Sequence, residues 1–164
     1  MLFATQKNPR DILLAKQAAK VIINGGYFKD GFSIQTGSGG ASLAAVKYIR
    51  ESMIEKGIKA SYALGGITAH MVKMFEEGLI EKLIDVQSFD KVAAESIRDH
   101  EMHKEASANE YASKDEAGSA THYLDMVILS ALEVDANFNV NVLVGSDGII
   151  RGAIGGHQDT AEDA

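Results

Sequence analysis

A glycine-rich segment, Gly37-Ser38-Gly39-Gly40, is the first stretch of this sequence whose residue types could hold a ligand. It follows a strand pattern and precedes a helical one, so backbone N–H groups and the positive helix end could bind phosphate or an oxyanion. The segment could equally serve only the geometry of a tight turn. It is not a dinucleotide fingerprint, because that motif needs glycine where Ser42 stands.

A second glycine pair, Gly65-Gly66, comes at the end of the next predicted strand. Ligands of open parallel sheets bind beyond the carboxyl ends of the strands, and neighbouring strands end at the same edge. We therefore expect the two glycine segments to lie side by side and to contact one ligand.

A third candidate is the segment Gly155-Gly156-His157-Gln158-Asp159. Its two glycines let the backbone approach a ligand closely, and the imidazole of His157 could carry protons near neutral pH. Spacing alone does not decide whether His157 and Asp159 act on a ligand.

Two other polar clusters are weaker candidates for a functional site. The sequence HEMH at 100–103 lacks the histidine pair four residues apart that a zinc-protease helix carries, so we predict no metal site. Asp115 and Glu116, with Glu110 nearby, could form an acid/base group or a solvated loop.

The patterns that must position these residues alternate between helix and strand. Asn8 and Pro9 begin a helix that ends at 24–26. Strands are predicted at 32–35, 58–64 and 83–87, each followed by a helix, at about 40–57, 68–78 and 89–98, with Gly65-Gly66 as a loop and Thr68 and Ser88 as helix caps. Three strand-to-helix passages predict a parallel sheet.

The last forty residues follow another pattern. Strand-like runs occur at 126–134, 138–144 and 149–154, and Ser146-Asp147-Gly148 is a hairpin signal. The predicted fold class is therefore α/β: an open, mostly parallel sheet with flanking helices that ends in an antiparallel meander.

Composition limits the function further. The 164 residues suit one domain, and a net charge of -7 with 16 dispersed Lys and Arg residues argues against nucleic-acid binding. The absence of cysteine excludes disulfides and thiolate chemistry and fits the reducing cytoplasm. We expect no membrane association, because no stretch reaches the ~20 apolar residues that span a bilayer.

Six blocks together resemble the α subunit of citrate lyase, in order and across nearly the whole chain. They are SIQTGSGGASLA at 33–44, LGGITA at 64–69, VQSFD at 86–90, LSALEVD at 129–135, FNVNV at 138–142 and GGHQDT at 155–160. The resemblance implies the fold shared by CoA-transferases and sugar-phosphate isomerases. It also implies a citrate CoA-transferase activity, in which the acyl-carrier thioester passes from acetate to citrate and acetate is released.

The resemblance also implies partners and an organisation. The partners are the acyl carrier (γ) and lyase (β) subunits, and the carrier presents a CoA-like prosthetic group, so that this chain binds no cofactor of its own. Residues 1–164 resemble a single CoA-transferase-like lobe, the start of the second lobe of such α subunits. We expect it to be truncated at the C-terminus, because the family-like continuation Ala-Ala-Gly-Ala is AEDA at 161–164 here.

On this interpretation the glycine segments at 37–40 and 65–66 bind the thioester, and the remaining candidates bind the acid substrates. The substrate-binding candidates are Asn109, Arg151, Gly155, Gly156, His157 and Asp159. A citrate site needs cationic side chains, and Arg151 is the arginine, among the four in the sequence, that lies nearest to a ligand-like motif.

Many CoA-transferases attack the thioester with a glutamate at the end of a strand. Counted back from Glu76-Glu77-Gly78-Leu79-Ile80, the equivalent position here is Gly65. Glycine is no nucleophile, so the resemblance implies direct transfer through an anhydride of the two acids. Two alternatives stay open: a non-catalytic scaffold or half-site lobe of the complex, and, by fold analogy alone, a small-molecule-binding protein or sugar-phosphate isomerase.

Overall fold

The computed structural model describes residues 8–37, 39–113 and 118–163. Its main feature is a parallel sheet of five strands in the order β4-β3-β2-β1-β5. The strands are β1 (Phe32–Thr36), β2 (Ala60–Ile67), β3 (Leu83–Ser88), β4 (His103–Glu105) and β5 (Met126–Ile128). The predicted α/β class is confirmed.

As predicted, a helix follows each of the strands β1, β2 and β3. The helices are α1 (Pro9–Asn24), α2 (Gly40–Lys56), α3 (Ala69–Glu76), α4 (Lys91–Asp99), α5 (Ala108–Tyr111) and α6 (His157–Asp163), with a short 3₁₀ turn at Ala120–Tyr123. From β1 to β4 the chain always steps toward the same edge of the sheet, so right-handed crossovers place α2, α3 and α4 on one face.

The main core lies between that face and the helices. Phe32 and Leu83 from the sheet and Ile49 and Met53 from α2 are fully buried in it. Burial of such side chains contributes about 1.5–3 kcal/mol each to folding. A smaller cluster on the opposite face joins Leu64 to residues of α5 and the following turn.

The helix ends agree with the signals read from the sequence. The side chain of Asn8 accepts a hydrogen bond from the N–H of Arg10, and Pro9 occupies the first turn of α1. Gly57 ends α2 in the left-handed conformation that glycine adopts without strain.

Other local predictions were wrong. Gly65 and Gly66 lie inside β2 and not in a loop, because β2 continues to Ile67 along β3. Ser88 is the last residue of β3, and the side chain of Asp90 caps α4 instead. Thr68 stands at the N-cap of α3 but makes no capping bond there, since Asp90 accepts the N–H of Ala69.

The predicted meander is only partly antiparallel. Its first strand, β5, pairs with β1 in parallel, and Asp125 fixes this arrangement by accepting hydrogen bonds from the N–H and hydroxyl of Ser33. The antiparallel part consists of β6 (Glu133–Val134) with β7 (Val140–Asn141) and a bridge between Val144 and Ile150.

Two turns shape this antiparallel part. The hairpin at Ser146-Asp147-Gly148 is confirmed, with Gly148 donating to the carbonyl of Gly145. The predicted strand at 138–144 is shorter than expected, because the carboxylate of Asp135 accepts the N–H groups of Asn137 and Asn139 and turns the chain there.

Candidate functional site

One cleft of about 700 Å³ opens beyond the carboxyl ends of β1, β2 and β3. Its walls include the glycine loop after β1, the end of β2, the end of β3, the loop after β5 and the segment just before α6. Eight of the residues nominated from the sequence line it, namely Gly37, Gly39, Gly65, Gly66, Arg151, Gly155, Gly156 and His157. The expected meeting of the glycine segments at one edge is therefore observed.

The glycine loop presents the start of α2 to this cleft. Gly39 is the N-cap residue of α2 and has no side chain with which to cap the first-turn amides. The N–H of Gly37, by contrast, donates to the carbonyl of Ile128 at 2.8 Å and is already used. Anion binding at this loop would therefore rest on the amides from Gly39 onward.

The loop after β5 limits the space beside Gly39. A Cβ at this position would lie 3.0 Å from the hydroxyl oxygen of Ser130, and that hydroxyl is 3.0 Å from the one of Ser42. The hydroxyl pair therefore joins the β5 loop to α2, and a larger residue at position 39 would have to separate the two segments.

The end of β2 is irregular where it meets the cleft. Pairing with β1 stops at Leu64, whereas pairing with β3 shifts register between Gly65 and Gly66 and continues to Ile67. The side of β2 that faces β1 therefore has no strand partner beyond Leu64. Gly65 also has φ +99°, which favours glycine.

Gln35 connects the sheet to the C-terminal segment behind this wall. Its side-chain amide donates to the hydroxyl oxygens of Tyr111 at 2.8 Å and of Thr160 at 3.0 Å. Tyr111 and Thr160 also bond to each other, and the hydroxyl of Thr160 donates to the carbonyl of Gly156 at 2.7 Å. All three side chains are buried, so the network holds the segment 155–157 in place.

Sequence reasoning missed this network. Gln35 alternates with apolar residues, which suggests a solvent-facing position, yet every residue of β1 is buried. The oxygen of its amide is buried without a hydrogen-bond partner among the described residues. The one available signal was that Gln35 and Thr160 belong to the blocks that carry the family resemblance.

Arg151 lines the cleft but is engaged with a neighbour. Its guanidinium donates to both carboxylate oxygens of Asp147, one at 2.6 Å, which raises the pKa of Arg151 and lowers that of Asp147. Both side chains are exposed, so an anionic ligand would compete for this arginine with a solvated carboxylate. His157 is half-buried between the cleft and a smaller depression beside β7.

The other nominated residues lie elsewhere. Asn109 and Asp159 are exposed on α5 and α6, and neither belongs to the described lining of the cleft. Gly40 begins α2 just behind Gly39. Ser38, Asp115 and Glu116 lie outside the described residues.

The histidine and acid clusters have structural explanations. His103 is fully buried, with one ring nitrogen 2.9 Å from the hydroxyl of Ser96 and the other 3.2 Å from the carboxylate of Asp85. Glu110 accepts the N–H and hydroxyl of Ser107 in a capping box. Among the described residues no group of three potential ligands could hold a metal ion. No helix there is long and apolar enough to cross a membrane.

A parallel α/β sheet with a glycine-lined cleft beyond its strand ends is the arrangement in which α/β domains commonly bind small molecules. Comparison with known proteins identifies its family. Residues 3–164 match the family model of the citrate lyase alpha subunit (CitF), and the chain belongs to that family.

Individual relatives agree with this assignment. The citrate lyase alpha chains of Haemophilus influenzae and Escherichia coli are 60% and 58% identical over 96% and 94% of this chain. A solved structure assigned to the citrate lyase alpha subunit of Streptococcus mutans, in complex with citrate, superposes on 95% of the chain with a TM-score of 0.91 at 58% identity. This chain spans about 31% of the length of these relatives.

Proposed function

We propose that this chain forms one wall of the acyl-transfer site of a citrate CoA-transferase, the α subunit of citrate lyase. The reaction moves the acyl-carrier thioester from acetate to citrate and releases acetate. The observation that carries the proposal is the cleft, where Gly37 and Gly39 meet the glycine pair at 65–66 and the segment 155–157. All three segments belong to the family-like blocks, and a relative with the same fold binds citrate.

The chemistry proceeds in two balanced steps. A citrate carboxylate attacks the acetyl thioester carbon, which forms an acetyl–citryl anhydride and expels the carrier thiolate. The thiolate then attacks the citryl carbonyl of the anhydride and expels acetate. Each attack develops an oxyanion, and the backbone N–H groups of Gly39 and of Gly66, on the side of β2 that β1 does not pair, are the proposed donors that stabilise it.

No covalent enzyme intermediate is needed for this sequence of steps. Gly65 stands where the glutamate of related transferases would stand, and its position against Gln35 leaves no room for a side chain. Positioning of two bound acids beside one thioester supplies the rate enhancement that a nucleophile would otherwise supply.

The carrier thioester is a substrate on this proposal and not a resident cofactor. It is presented by the acyl carrier (γ) subunit, and the citryl-carrier product is passed to the lyase (β) subunit. We place the reaction in the cytoplasm, since a chain without cysteine fits a reducing compartment.

An acetate-release assay tests the proposal. The α subunit at the full length of its relatives, with this segment in place, is incubated with acetyl-carrier or acetyl-CoA and citrate. Release of acetate that depends on citrate, with matching formation of citryl thioester, is the expected result. Hydrolysis at the same rate without citrate would rule out acyl transfer.

The length of the chain favours a second candidate, a half-site or scaffold lobe that is inactive alone. Because this segment spans about 31% of its relatives, groups outside it could complete the site. The same assay on the 164-residue chain tests this candidate: no turnover is expected if it is correct, and turnover by the chain alone would exclude it.

A further inference from the structure

Phe89 is an exposed aromatic residue inside the cleft. It retains 46% of its surface in solvent although its ring lies directly against the backbone of Gly66. A Cβ at position 66 would come within 1.8 Å of one ring carbon, so only glycine leaves space for the ring. Because this exposed ring lines a cleft, its apolar surface is available to a ligand bound there.

The position of Phe89 is fixed on both sides. Its N–H donates to the carbonyl of Ile67 at 2.9 Å. The carboxylate of the next residue, Asp90, accepts the N–H of Ala69 at 2.7 Å and that of Ala93 at 3.0 Å, and so caps α3 and α4 together. The ring is therefore held at the edge of the sheet, in front of β2.

Charge divides the cleft into two sides. The two basic side chains in its described lining, Arg151 and His157, both belong to the C-terminal segment. The wall beside Phe89, formed by Gly65, Gly66, Val86 and Gln87, carries no charged side chain.

The two proposed substrates differ in charge, as the two sides of the cleft do. Citrate is compact, carries three carboxylates, and would be repelled by the negative face of an aromatic ring. The arm that carries the thioester in a CoA-like group is an uncharged chain of methyl, methylene and amide groups, which such a ring contacts favourably.

We propose that Phe89 is a specificity-determining contact for the uncharged arm of the acyl thioester, with citrate bound toward Arg151 and His157. This inference rests on the proposed acyl-transfer function and assigns the two substrates to opposite sides of the cleft. On this view, glycine is needed at position 66 because any side chain there would displace the ring.

Binding measurements on variants of the full-length subunit test the assignment. Calorimetric titration with S-acetyl-pantetheine and, separately, with citrate gives the two affinities. Phe89→Ala should weaken binding of the thioester about ten-fold, the loss expected when an aromatic contact is truncated, and should change citrate affinity less than about two-fold. Phe89→Leu should retain thioester affinity within about three-fold, because it keeps most of the apolar surface.

Tyr27→Ala is the matched control, since Tyr27 is a comparably exposed aromatic residue outside the described lining of the cleft. It should leave both affinities unchanged. If Phe89→Ala does not fold, Phe89→Gln replaces it, because it removes the ring but keeps a side chain of similar length.

Three results would overturn the inference: unchanged thioester affinity, a larger loss for citrate than for the thioester, or a loss of thermal stability of the full-length subunit with both affinities intact. The last would show that another part of the protein covers the ring. Failure of the proposed function would look different, since the unaltered subunit would then show no citrate-dependent release of acetate, whatever Phe89 contacts.

Discussion

Gln35 lies across Gly65 so closely that a Cβ at position 65 would be 2.9 Å from the amide carbon of Gln35. The Gln35 side chain crosses over Gly65, and its amide donates hydrogen bonds to Tyr111 and Thr160. The amide of Gln35 thus links the end of β2 to the segment before α6. This link requires glycine at position 65, because a side chain there would displace Gln35.

Gly65→Ala should therefore be more destabilising than its backbone conformation alone predicts. The positive φ of +99° costs a residue with a side chain about 1–2 kcal/mol, and displacing Gln35 from its buried hydrogen bonds adds about 1–3 kcal/mol. The free energy of unfolding, measured by urea denaturation, should fall by about 2–5 kcal/mol.

Gly78→Ala is the matched control, since Gly78 has φ +72° but nothing within 4 Å of an added Cβ. This substitution should lower the free energy of unfolding by about 1–2 kcal/mol, the cost of the backbone conformation alone. Equal losses for the two variants would show that the contact between Gln35 and Gly65 contributes nothing.

The sequence predicted the parallel sheet and the position of the cleft because both follow from local patterns. Strand, glycine turn and helix recur in order, and the strand ends must then meet. The network around Gln35 could not be predicted in this way, because its bonds join residues 76 and 125 positions apart. The extension of β2 through Gly65 and Gly66 could not be predicted either, because pairing with β3 outweighs the preference of two glycines for a turn.

Gly39→Val should abolish thioester binding by the full-length subunit without unfolding it. Gly39 has an extended conformation that valine can adopt, so the backbone is not strained, but the new side chain would displace Ser130 and fill the cleft at the start of α2. Calorimetric titration with acetyl-CoA measures the affinity, and thermal unfolding checks the fold. If the variant binds acetyl-CoA as tightly as the unaltered subunit does, this loop does not contribute to the thioester site.

The ion pair between Arg50 and Glu77 should make stability depend on pH. Two hydrogen bonds from the guanidinium, at 2.6 and 2.8 Å, lower the pKa of Glu77 from its ordinary value of 4.5. A carboxyl whose pKa is lowered by folding stabilises the protein above the unfolded pKa and loses this contribution as pH falls through the folded one. The pair joins α2 to α3 and should contribute about 1 kcal/mol at pH 7, lost below about pH 4.5.

Thermal unfolding of Arg50→Gln between pH 3 and 7 checks this. The variant should be less stable than the unaltered chain at pH 7 and approach it at pH 3. Arg98→Gln is the control, because Arg98 bonds to the adjacent Asp99 and neighbouring residues can form the same bond in the unfolded chain. A constant stability difference across the pH range for Arg50→Gln would mean that the pair is not responsible.

The last prediction concerns a covalent glutamyl intermediate, which should not form. Reduction at Glu110 or Glu133 would be the most informative result, and neither glutamate belongs to the described lining of the cleft. Glu110 is bound by Ser107, and Glu133 accepts the N–H and hydroxyl of Ser146, interactions that lower the pKa of each carboxyl. Lowered basicity and engaged oxygens make both poor nucleophiles toward a thioester.

Borohydride trapping tests the prediction. The full-length subunit is incubated with acetyl-CoA and reduced with borohydride, which converts a glutamyl thioester to an alcohol, and its peptides are then mapped by mass spectrometry. A matched sample without acyl-CoA corrects for unspecific reduction. No glutamate of this segment should be modified, because the acyl group passes directly between the bound acids. Reduction at Glu110 or Glu133 would show that another carboxylate has replaced the nucleophile absent at Gly65, and direct transfer would have to be abandoned.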